Sequence, residues 1–266
     1  MLPVPNIQTL QTILIEAAQS QLPDDSHNIR CQAKADGSLV TQIDANLQNE
    51  ITQKLASYWP EIALLGEEMS HQQQMSMLAY SEQGLWVLDP LDGTTNFTTG
   101  FPVYGLSLAY VRNGITELAV IYDPNRQECF SAELGKGAFL NGQAITLNTV
   151  TTLQECVANI DYKRLTEALS SRLVSCPPYR SQRNIGSCVL EWCWLAIGRI
   201  QLYLHGGQQL WDHAAGRLIL SEAGGVASRI GGNEICSDNL IKQSAVAASN
   251  PELFDQWLDW VQQQQN

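Results

Sequence analysis

The sequence has no run of about 18 consecutive apolar residues, the length that indicates a membrane-spanning helix, so we expect no membrane span. The N-terminal segment has no basic stretch and no clear cleavage site, so we expect no signal peptide. Basic side chains are few: 15 Lys and Arg stand against 27 Asp and Glu, a net charge of −12. Such an acidic surface repels phosphate backbones, which argues against a general nucleic-acid binder.

Two further absences concern metals and redox chemistry. The seven cysteines form no CxxC pair and are odd in number, and the four histidines are scattered. This usage is typical of reduced thiols in a cytoplasm and excludes a disulfide framework or a zinc site. We therefore expect any bound metal to be a hard cation held by oxygen atoms. Such a cation would also let an acidic protein bind an anionic ligand.

The first half of the chain shows hydrophobic patterns typical of helices packed on a largely antiparallel sheet. Apolar residues at helical spacing predict one helix near the N-terminus and a second that ends before Pro60. Short apolar runs at 62–65 and 85–88 predict strands, and residues 69–83 resemble an exposed loop or loose helix. Turn signals predict hairpins at residues 113–114 and 135–137 and a further turn at 141–142.

Beyond about residue 149, short apolar runs alternate with helical patterns, which predicts an α/β arrangement. The predicted strands include 157–160, 200–204 and 245–248. The predicted helices cover 163–174, 188–198, 212–223 and 251–262. No Pro- or Ser-rich linker separates the two halves. We predict an α/β fold with α+β character in its N-terminal half and two subdomains, residues 1–147 and 148–266.

The segment with the most candidate functional residues is WVLDPLDGTTNF, residues 86–97. A strand ends in Asp89, Pro90 forces an extended turn, and Asp92 adds a second carboxylate. Gly93 permits close backbone approach, and two threonines follow where a helix can begin. Carboxylates beside free N–H groups can hold a phosphate between metal ions and a helix N-terminus. The alternative is a polar turn with an N-cap, since Asp-Pro and Asp-Gly are common in turns, but the complete string favours the metal site.

The string DPLDGTTNF resembles the signature of the inositol monophosphatase family. The segments KADGSLVTQID, LLGEE and WDHAAGRLILSEAGG agree with that family in order and approximate spacing. The resemblance runs from about residue 34 to the SNPELF segment near the C-terminus. It implies a layered αβαβα sandwich of the inositol monophosphatase and fructose-1,6-bisphosphatase type. It also implies a cytoplasmic, homodimeric, magnesium-dependent and lithium-sensitive phosphatase that acts on a small phosphate monoester.

The resemblance further implies a set of metal ligands that would hold two or three Mg²⁺ ions per site. These ligands are the carboxylates of Glu67, Asp89, Asp92 and Asp212 and the backbone carbonyl of Leu91. Neighbours on an extended strand point to opposite faces, so only one of Glu67 and Glu68 can reach the metal. The family pattern selects Glu67 and leaves Glu68 as a solvated turn carboxylate. An N-cap role is the alternative for Asp212, but the three other carboxylates favour the ligand role.

The implied mechanism is direct hydrolysis without a covalent enzyme intermediate. One Mg²⁺ would lower the pKa of a bound water that Glu67 and the Thr94–Asp44 pair orient for in-line attack on phosphorus. A second Mg²⁺ would stabilise the leaving alkoxide. Gly93, Thr94 and Thr95 would bind the phosphate oxygens. A threonine three residues before Asp44 also predicts a capping box, and both roles of Asp44 can hold together.

The substrate side departs from the family pattern. Seven residues before the last metal carboxylate, inositol phosphatases carry a glutamate that binds substrate hydroxyls, but this chain has His205. His205 could donate to a hydroxyl or, when protonated, attract a second phosphate. A loop histidine at a strand end is the equal alternative. Gly186 and Ser187 match the family's substrate-side turn, and Asp92 is also expected to contact the substrate.

Several alternatives stay open. A 3′(2′),5′-bisphosphate nucleotidase could use His205 and Arg183 for its second phosphate, although those enzymes usually read DGTKEF where this chain reads DGTTNF. A fructose-bisphosphate or histidinol-phosphate phosphatase also fits. A haloacid dehalogenase-type enzyme would form an aspartyl phosphate, but the spacing of the DxDGT pattern is off by one residue here. Some bacterial members of the resembled family act in RNA-polymerase complexes, so a non-catalytic regulatory partner is the non-enzymatic alternative.

Overall fold

The structure is a computed structural model that describes residues 4–23, 31–33, 39–146 and 149–264. Residues 34–38 of the predicted KADGSLVTQID motif lie outside the described residues, as does the predicted subdomain boundary at 147–148. The fold is mixed α/β, as predicted. None of the helices in the described ranges is long and apolar enough to cross a membrane.

The first half of the chain contributes four helices and nine strands within the described ranges. The helices are α1 (Ile7–Gln21), α2 (Gln42–Tyr58), α3 (His71–Leu78) and α4 (Thr94–Thr98). The strands are β1 (Cys31–Ala33), β2 (Leu39–Thr41), β3 (Ala63–Gly66), β4 (Leu85–Asp92), β5 (Gly105–Arg112), β6 (Ile115–Asp123), β7 (Glu128–Glu133), β8 (Ala138–Leu140) and β9 (Gln143–Ala144).

The second half contributes four helices and five strands to the part of the chain that the structure describes. The helices are α5 (Glu167–Ser175), α6 (Cys188–Ala196), α7 (Leu210–Glu222) and α8 (Pro251–Gln263). The strands are β10 (Val157–Asp161), β11 (Ser181–Arg183), β12 (Leu202–Gln208), β13 (Val226–Ser228) and β14 (Gln243–Ala248).

These elements form five layers. A seven-stranded sheet runs in chain order from β3 to β9, and only its β3–β4 pair is parallel. A five-stranded sheet has the order β11-β10-β12-β14-β13. Helices α1 and α2 cover the outer face of the large sheet, α6 and α7 lie between the sheets, and α5 and α8 cover the outer face of the small sheet. This αβαβα sandwich is the predicted architecture.

The layering follows from the strand pattern. In β4, Val87 packs with α6 and α7 while its neighbour Leu88 packs with α1 and α2, because successive strand side chains point to opposite faces. Both faces of this sheet are covered, so residues 85–88 of β4 form a continuous apolar run without polar alternation. Helix α6, which lies between the sheets, is buried around almost its whole circumference.

Most predicted elements are confirmed, including the first two helices and the Asn113-Gly114 turn, whose residues both have positive φ. Residues 71–78 of the predicted exposed loop or loose helix form α3. The helix predicted at 163–174 begins later, because residues 162–164 form a 3-10 turn and Thr166 then caps α5. The short strands β11 and β13 were not predicted, since three residues show no usable periodicity.

One difference positions the functional site. The prediction that the strand ends at Asp89 is wrong, because β4 continues to Asp92 with a register shift against β5 between these two residues. Pro90 lies in this bulge, where its missing N–H breaks no regular ladder bond. Residues three apart on a regular strand point to opposite faces, and a bulge can bring them to the same side.

Candidate active site

A cavity of about 560 Å³ opens where the end of β4 meets the second half of the chain. Ten of the predicted site residues line this cavity: Glu67, Asp89, Leu91, Asp92, Gly93, Thr94, Thr95, Gly186, His205 and Asp212. Two others, Asp44 and Ser187, are buried at 1% exposure and lie outside the lining. The structure therefore brings the distant sequence segments to one place.

Three aspartates form the centre of this site. Asp89, Asp92 and Asp212 each offer a carboxylate oxygen, and these oxygens lie within 4.8 Å of one another. The bulge of β4 carries the first two, and the first turn of α7 carries the third. Asp89 is only 1% exposed. Three carboxylates gathered this closely form a strong candidate for a divalent cation site.

The electrostatics of the group also favour the binding of a cation. Burial raises the pKa of Asp89 well above its usual range, and the charges of Glu67, Asp92 and Asp212 raise it further. Burial likewise raises the pKa of Asp212. It raises the pKa of Asp92 to about 6, although hydrogen bonds from Ser187 and elsewhere act in the opposite direction. A bound cation would allow these groups to ionise together.

Glu67 and Glu68 lie in the turn after β3, and only Glu67 lines the cavity. Glu67 follows β3, lines the cavity and forms a hydrogen bond with Asp89. Glu68 is absent from the lining, and its N–H donates to Gln48 Oε1 at 3.1 Å. The buried amide of Gln74 fixes this turn by donating to the Gly66 carbonyl at 3.0 Å. Sequence reasoning missed Gln74 because it lies in the segment that was predicted as a loose helix or loop.

Asp44 forms both of its predicted contacts, with Thr41 and with Thr94. Its Oδ2 accepts hydrogen bonds from the N–H and the hydroxyl of Thr41, at 2.8 and 2.5 Å, and so completes the capping box of α2. Its Oδ1 lies 3.2 Å from the hydroxyl of Thr94, which is also 3.1 Å from the Leu91 carbonyl. Burial raises the pKa of Asp44, and the Thr41 hydrogen bonds lower it. An ionised Asp44 only accepts, so it directs the Thr94 proton away from the cavity.

Asp92 is held by the start of α6. Its Oδ2 accepts from the Ser187 hydroxyl at 2.5 Å and from the Val189 N–H at 3.0 Å. Ser187 was predicted to bind substrate, but the structure places it behind the cavity wall as a support for Asp92. These hydrogen bonds to Oδ2 fix the orientation of the Asp92 carboxylate at the cavity.

A close backbone approach joins the two halves beside Asp92. Gly93 has φ +87°, and a Cβ there would lie 3.0 Å from the Val103 carbonyl and 3.3 Å from that of Gly186. Asn96 bridges the same two loop segments, because its amide donates to the Val103 and Ile185 carbonyls at 2.8 and 2.9 Å. Glycine at 93 is therefore required both by conformation and by space.

Asp212 is not the N-cap that we considered as its alternative role. Helix α7 begins at Leu210, and Gln209 is the N-cap residue. Asp212 lies in the first turn, where its Oδ2 accepts from the Gln209 N–H at 2.7 Å. A carboxylate at this position stabilises the helix start and still presents its second oxygen to the cavity.

His205 uses both ring nitrogens within the protein. The Gly207 N–H donates to Nδ1 at 3.1 Å, so the ring proton of the neutral side chain is on Nε2, which lies 3.2 Å from Asp161 Oδ2. Burial opposes ionisation of Asp161, but hydrogen bonds from His205 and the Lys163 N–H lower its pKa to about 2. Arg183, the other candidate for a second phosphate, is absent from the lining and donates to Ser181 and the Gln182 carbonyl instead.

A buried carboxylate behind the site was not predicted. Glu191 on α6 is 2% exposed, and its Oε1 accepts from the Gly186 N–H at 3.0 Å. Burial raises its pKa to about 7, although hydrogen bonds involving Tyr203 and Gly186 lower it. The signal was present in the sequence, since a glutamate in the apolar run CVLEWCWLA is unexpected unless it has buried partners.

The comparisons with known proteins agree with this geometry. The model of the inositol monophosphatase family matches residues 4–265. The chain belongs to the inositol monophosphatase family. The sequence motifs therefore identified the family correctly.

Individual relatives cover most of the chain. Inositol monophosphatase 1 of Solanum lycopersicum is 34% identical over 239 residues, which is 86% of this chain and 84% of the relative. The Nus factor SuhB of Vibrio cholerae is 32% identical over 236 residues, again 86% of this chain and 84% of the relative. The solved structure of a Thermotoga maritima IMPase has a TM-score of 0.80 at 28% identity, with 97% of this chain and 95% of that one covered.

Proposed function

We propose that this protein hydrolyses a small phosphate monoester with the help of Mg²⁺. The observation that carries the proposal is the convergence of buried carboxylates with raised pKa values in one cavity. Oxygen donors of this kind suit a hard divalent cation, and the family is magnesium-dependent. We expect two or three ions per site. The proposed ligands are Glu67, Asp89, the Leu91 carbonyl, Asp92 and Asp212.

When bound, Mg²⁺ would neutralise phosphate charge and make a water molecule more acidic. The chain itself would position that water. Thr94 directs its proton toward Asp44 or the Leu91 carbonyl, so its remaining lone pair can accept a proton from a water in the cavity. Glu67, in the turn after β3, would accept the second proton of the same water. The two acceptors would fix the orientation of the attack on phosphorus.

Phosphate oxygens would be held at the start of α4. The first N–H groups of a helix have no partner inside it, and Thr94 and Thr95 occupy these positions on the cavity wall. The Gly93 N–H forms a hydrogen bond with Asp92, so we assign the phosphate contacts to Thr94 and Thr95 first. Such donors stabilise the charge that builds up in the transition state.

The substrate need not be inositol phosphate. At the position of the family's hydroxyl-binding glutamate, His205 is 2% exposed and has both ring nitrogens engaged. Inositol would therefore lose a hydrogen-bond partner, which favours another small phosphate monoester such as a sugar phosphate. For the bisphosphate-nucleotidase alternative, the position of Arg183 outside the cavity lining removes one of its two expected contacts.

A regulatory role in a transcription complex is the second candidate, supported by the similarity to the Vibrio cholerae Nus factor SuhB. The two roles can be separated experimentally. Co-elution of the purified protein with bacterial RNA polymerase, retained by Asp89→Asn, would support a partner function that is independent of the metal site. Absence of co-elution, together with phosphatase activity, would leave catalysis as the function.

The test of the main proposal is phosphate release by purified protein with Mg²⁺ from a panel of monoesters. The panel contains inositol 1-phosphate, fructose 1,6-bisphosphate, 3′-phosphoadenosine 5′-phosphate and histidinol phosphate. Release that requires Mg²⁺ and is lost in Asp89→Asn is expected for at least one of them. Failure of the folded protein to release phosphate from any member, or release without a divalent cation, would contradict the proposal.

Three properties expected from the family complete the proposal: inhibition by lithium, a homodimer and a cytoplasmic location. Millimolar lithium should lower phosphate release, and light scattering should give twice the chain mass of 29.4 kDa. Activity that is unaffected by lithium would count against a metal site of the family type.

A further inference from the structure

We propose that Arg164 and Lys242 form a second anion-binding subsite in the cavity, so that the preferred substrate is a phosphate monoester carrying another phosphate or a carboxylate. This inference rests on the proposed phosphatase function and specifies its substrate class. Arg164 and Lys242 are the lysine and arginine residues that line the cavity, within the part of the chain that the structure describes. Every predicted metal carboxylate lies in the same cavity.

The two basic side chains lie next to the same glycine of the cavity wall. A Cβ built on Gly207 would lie 3.5 Å from Arg164 Cδ and 3.8 Å from Lys242 Cβ. Both side chains therefore lie beside Gly207 of β12, although Arg164 belongs to the 162–164 turn and Lys242 to the segment before β14, and both are long enough to reach a common anion.

The backbone places Arg164 at this position. A Cβ on Gly206 would lie only 2.0 Å from the Arg164 carbonyl oxygen, so glycine at 206 is what lets the 162–164 turn pack directly on β12. The register of β12 against β14 also shifts between His205 and Gln208. Gly206, directly after His205, thus allows the turn that carries Arg164 to lie at the cavity.

The charges of this patch are available for a ligand. Arg164 is 46% exposed, and its nearest acidic partner, Asp161 Oδ2, is 3.7 Å from Nη1. Asp161 is already engaged by His205 and the Lys163 N–H. Lys242 is exposed and forms no ion pair or hydrogen bond with any described residue. A guanidinium with free donors beside an ammonium suits a phosphate or carboxylate.

The cavity contains acidic and basic side chains, and the two groups would bind different parts of the substrate. The carboxylates would bind the reacting phosphate through metal ions, whereas the basic patch can attract a second anion directly. A neutral polyol has no matching partner there. Discrimination should therefore depend on the charge of the leaving group and not on its hydroxyl pattern.

The experiment compares matched substrates that differ in one anionic group. The pairs are 3-phosphoglycerate with glycerol 3-phosphate, and fructose 1,6-bisphosphate with fructose 1-phosphate. We expect kcat/KM to be about tenfold or more higher for the substrate with the second anion in at least one pair, as for a charge-assisted hydrogen bond. The pair that shows the larger preference distinguishes a carboxylate from a phosphate.

Variants assign the preference to residues. Arg164→Gln and Lys242→Gln should each reduce kcat/KM about tenfold for the preferred substrate, mainly through KM, and leave its partner within about twofold. Lys163→Gln, an exposed lysine in the same turn that does not line the cavity, is the matched control and should change neither.

Two results would overturn the inference while the phosphatase proposal stands. One is equal kcat/KM for both members of each pair. The other is an equal loss on both members in Arg164→Gln and Lys242→Gln, which would mean that these residues contact the reacting phosphate. Absence of phosphate release from every substrate by the wild-type protein would instead overturn the proposed function, and this inference with it.

Discussion

Replacing Asp89 by asparagine should stabilise the metal-free protein while abolishing its response to Mg²⁺. Asp89 is 1% exposed, and its Oδ1 accepts from the Leu91 N–H at 3.1 Å. Asparagine has nearly the same shape and keeps a carbonyl oxygen for that bond. The substitution therefore removes a buried negative charge without creating a cavity or a lost backbone partner.

The size of the effect can be worked out from the neighbouring carboxylate. A rise of one pKa unit costs the ionised form about 1.4 kcal/mol, so raising Asp92 from 3.8 to about 6 corresponds to roughly 3 kcal/mol. Asp89 is buried more deeply than Asp92, and its pKa is also raised. Because the buried amide keeps part of the desolvation cost, we expect a gain of about 2 kcal/mol, or about 4–8 °C in Tm.

The assay is thermal unfolding at about pH 7.5, measured once in EDTA and once in Mg²⁺. A ligand present at 100 times its Kd stabilises the folded state by about 2.7 kcal/mol, so Mg²⁺ should raise the wild-type Tm by several degrees. The Tm of Asp89→Asn in EDTA should be higher than that of the wild type, and Mg²⁺ should raise it little. A variant that melts below the wild type in EDTA, or that gains as much from Mg²⁺, would refute the reasoning.

Three further predictions concern the same site. Thr94→Ala should lower kcat by about a hundredfold and Thr94→Ser should retain most of it, because only the hydroxyl that Asp44 orients is needed; equal losses would contradict this role. Gly93→Ala should cost about 1–3 kcal/mol in urea unfolding, since φ is +87° and the Val103 carbonyl is 3.0 Å from the new Cβ; an unchanged midpoint would contradict the close approach. In EDTA, stability should fall as the pH rises from about 4 to 6 and beyond, because the folded protein raises the pKa of Asp92 and so binds protons more tightly than the unfolded chain. Mg²⁺ should remove this trend. A rise in stability over that pH range would argue against the raised pKa values.

The parts of the site that the sequence predicts are those carried by local motifs. Asp89 and Asp92 lie three residues apart in one string, so their chemistry was visible without a fold. The choice of Glu67 over Glu68 came from the family pattern, since both residues lie in the turn after β3, where strand alternation does not apply. The capping box at Asp44 likewise depends on four consecutive residues.

The parts that were missed depend on contacts between distant segments. The continuation of β4 past Pro90 depends on β5, which supplies ladder partners on both sides of the bulge. The burial of His205 against Asp161 depends on the pairing of β10 with β12. No spacing rule predicts that Arg164 enters the cavity, because the glycine that admits it is 42 residues further along the chain.

The layered fold was predictable for a different reason. Strands covered on both faces and a helix buried on almost all sides leave a strong hydrophobic pattern. That pattern indicates the class of each element, and the family motifs supplied their arrangement. The ends of the elements depended on caps such as Thr166 and Gln209, whose effect becomes clear only with the packed helix.

The most direct test of the central claim is the dependence of phosphate release on Mg²⁺ concentration in wild-type protein and in Asp212→Asn. Asp212 comes from the second half of the chain, so its contribution tests whether the two halves form one metal site. We predict saturable activation by Mg²⁺ in the wild type, complete loss in EDTA, and at least a hundredfold lower activity in the folded variant. Phosphate release that persists in EDTA, or a variant as active as the wild type, would contradict the account.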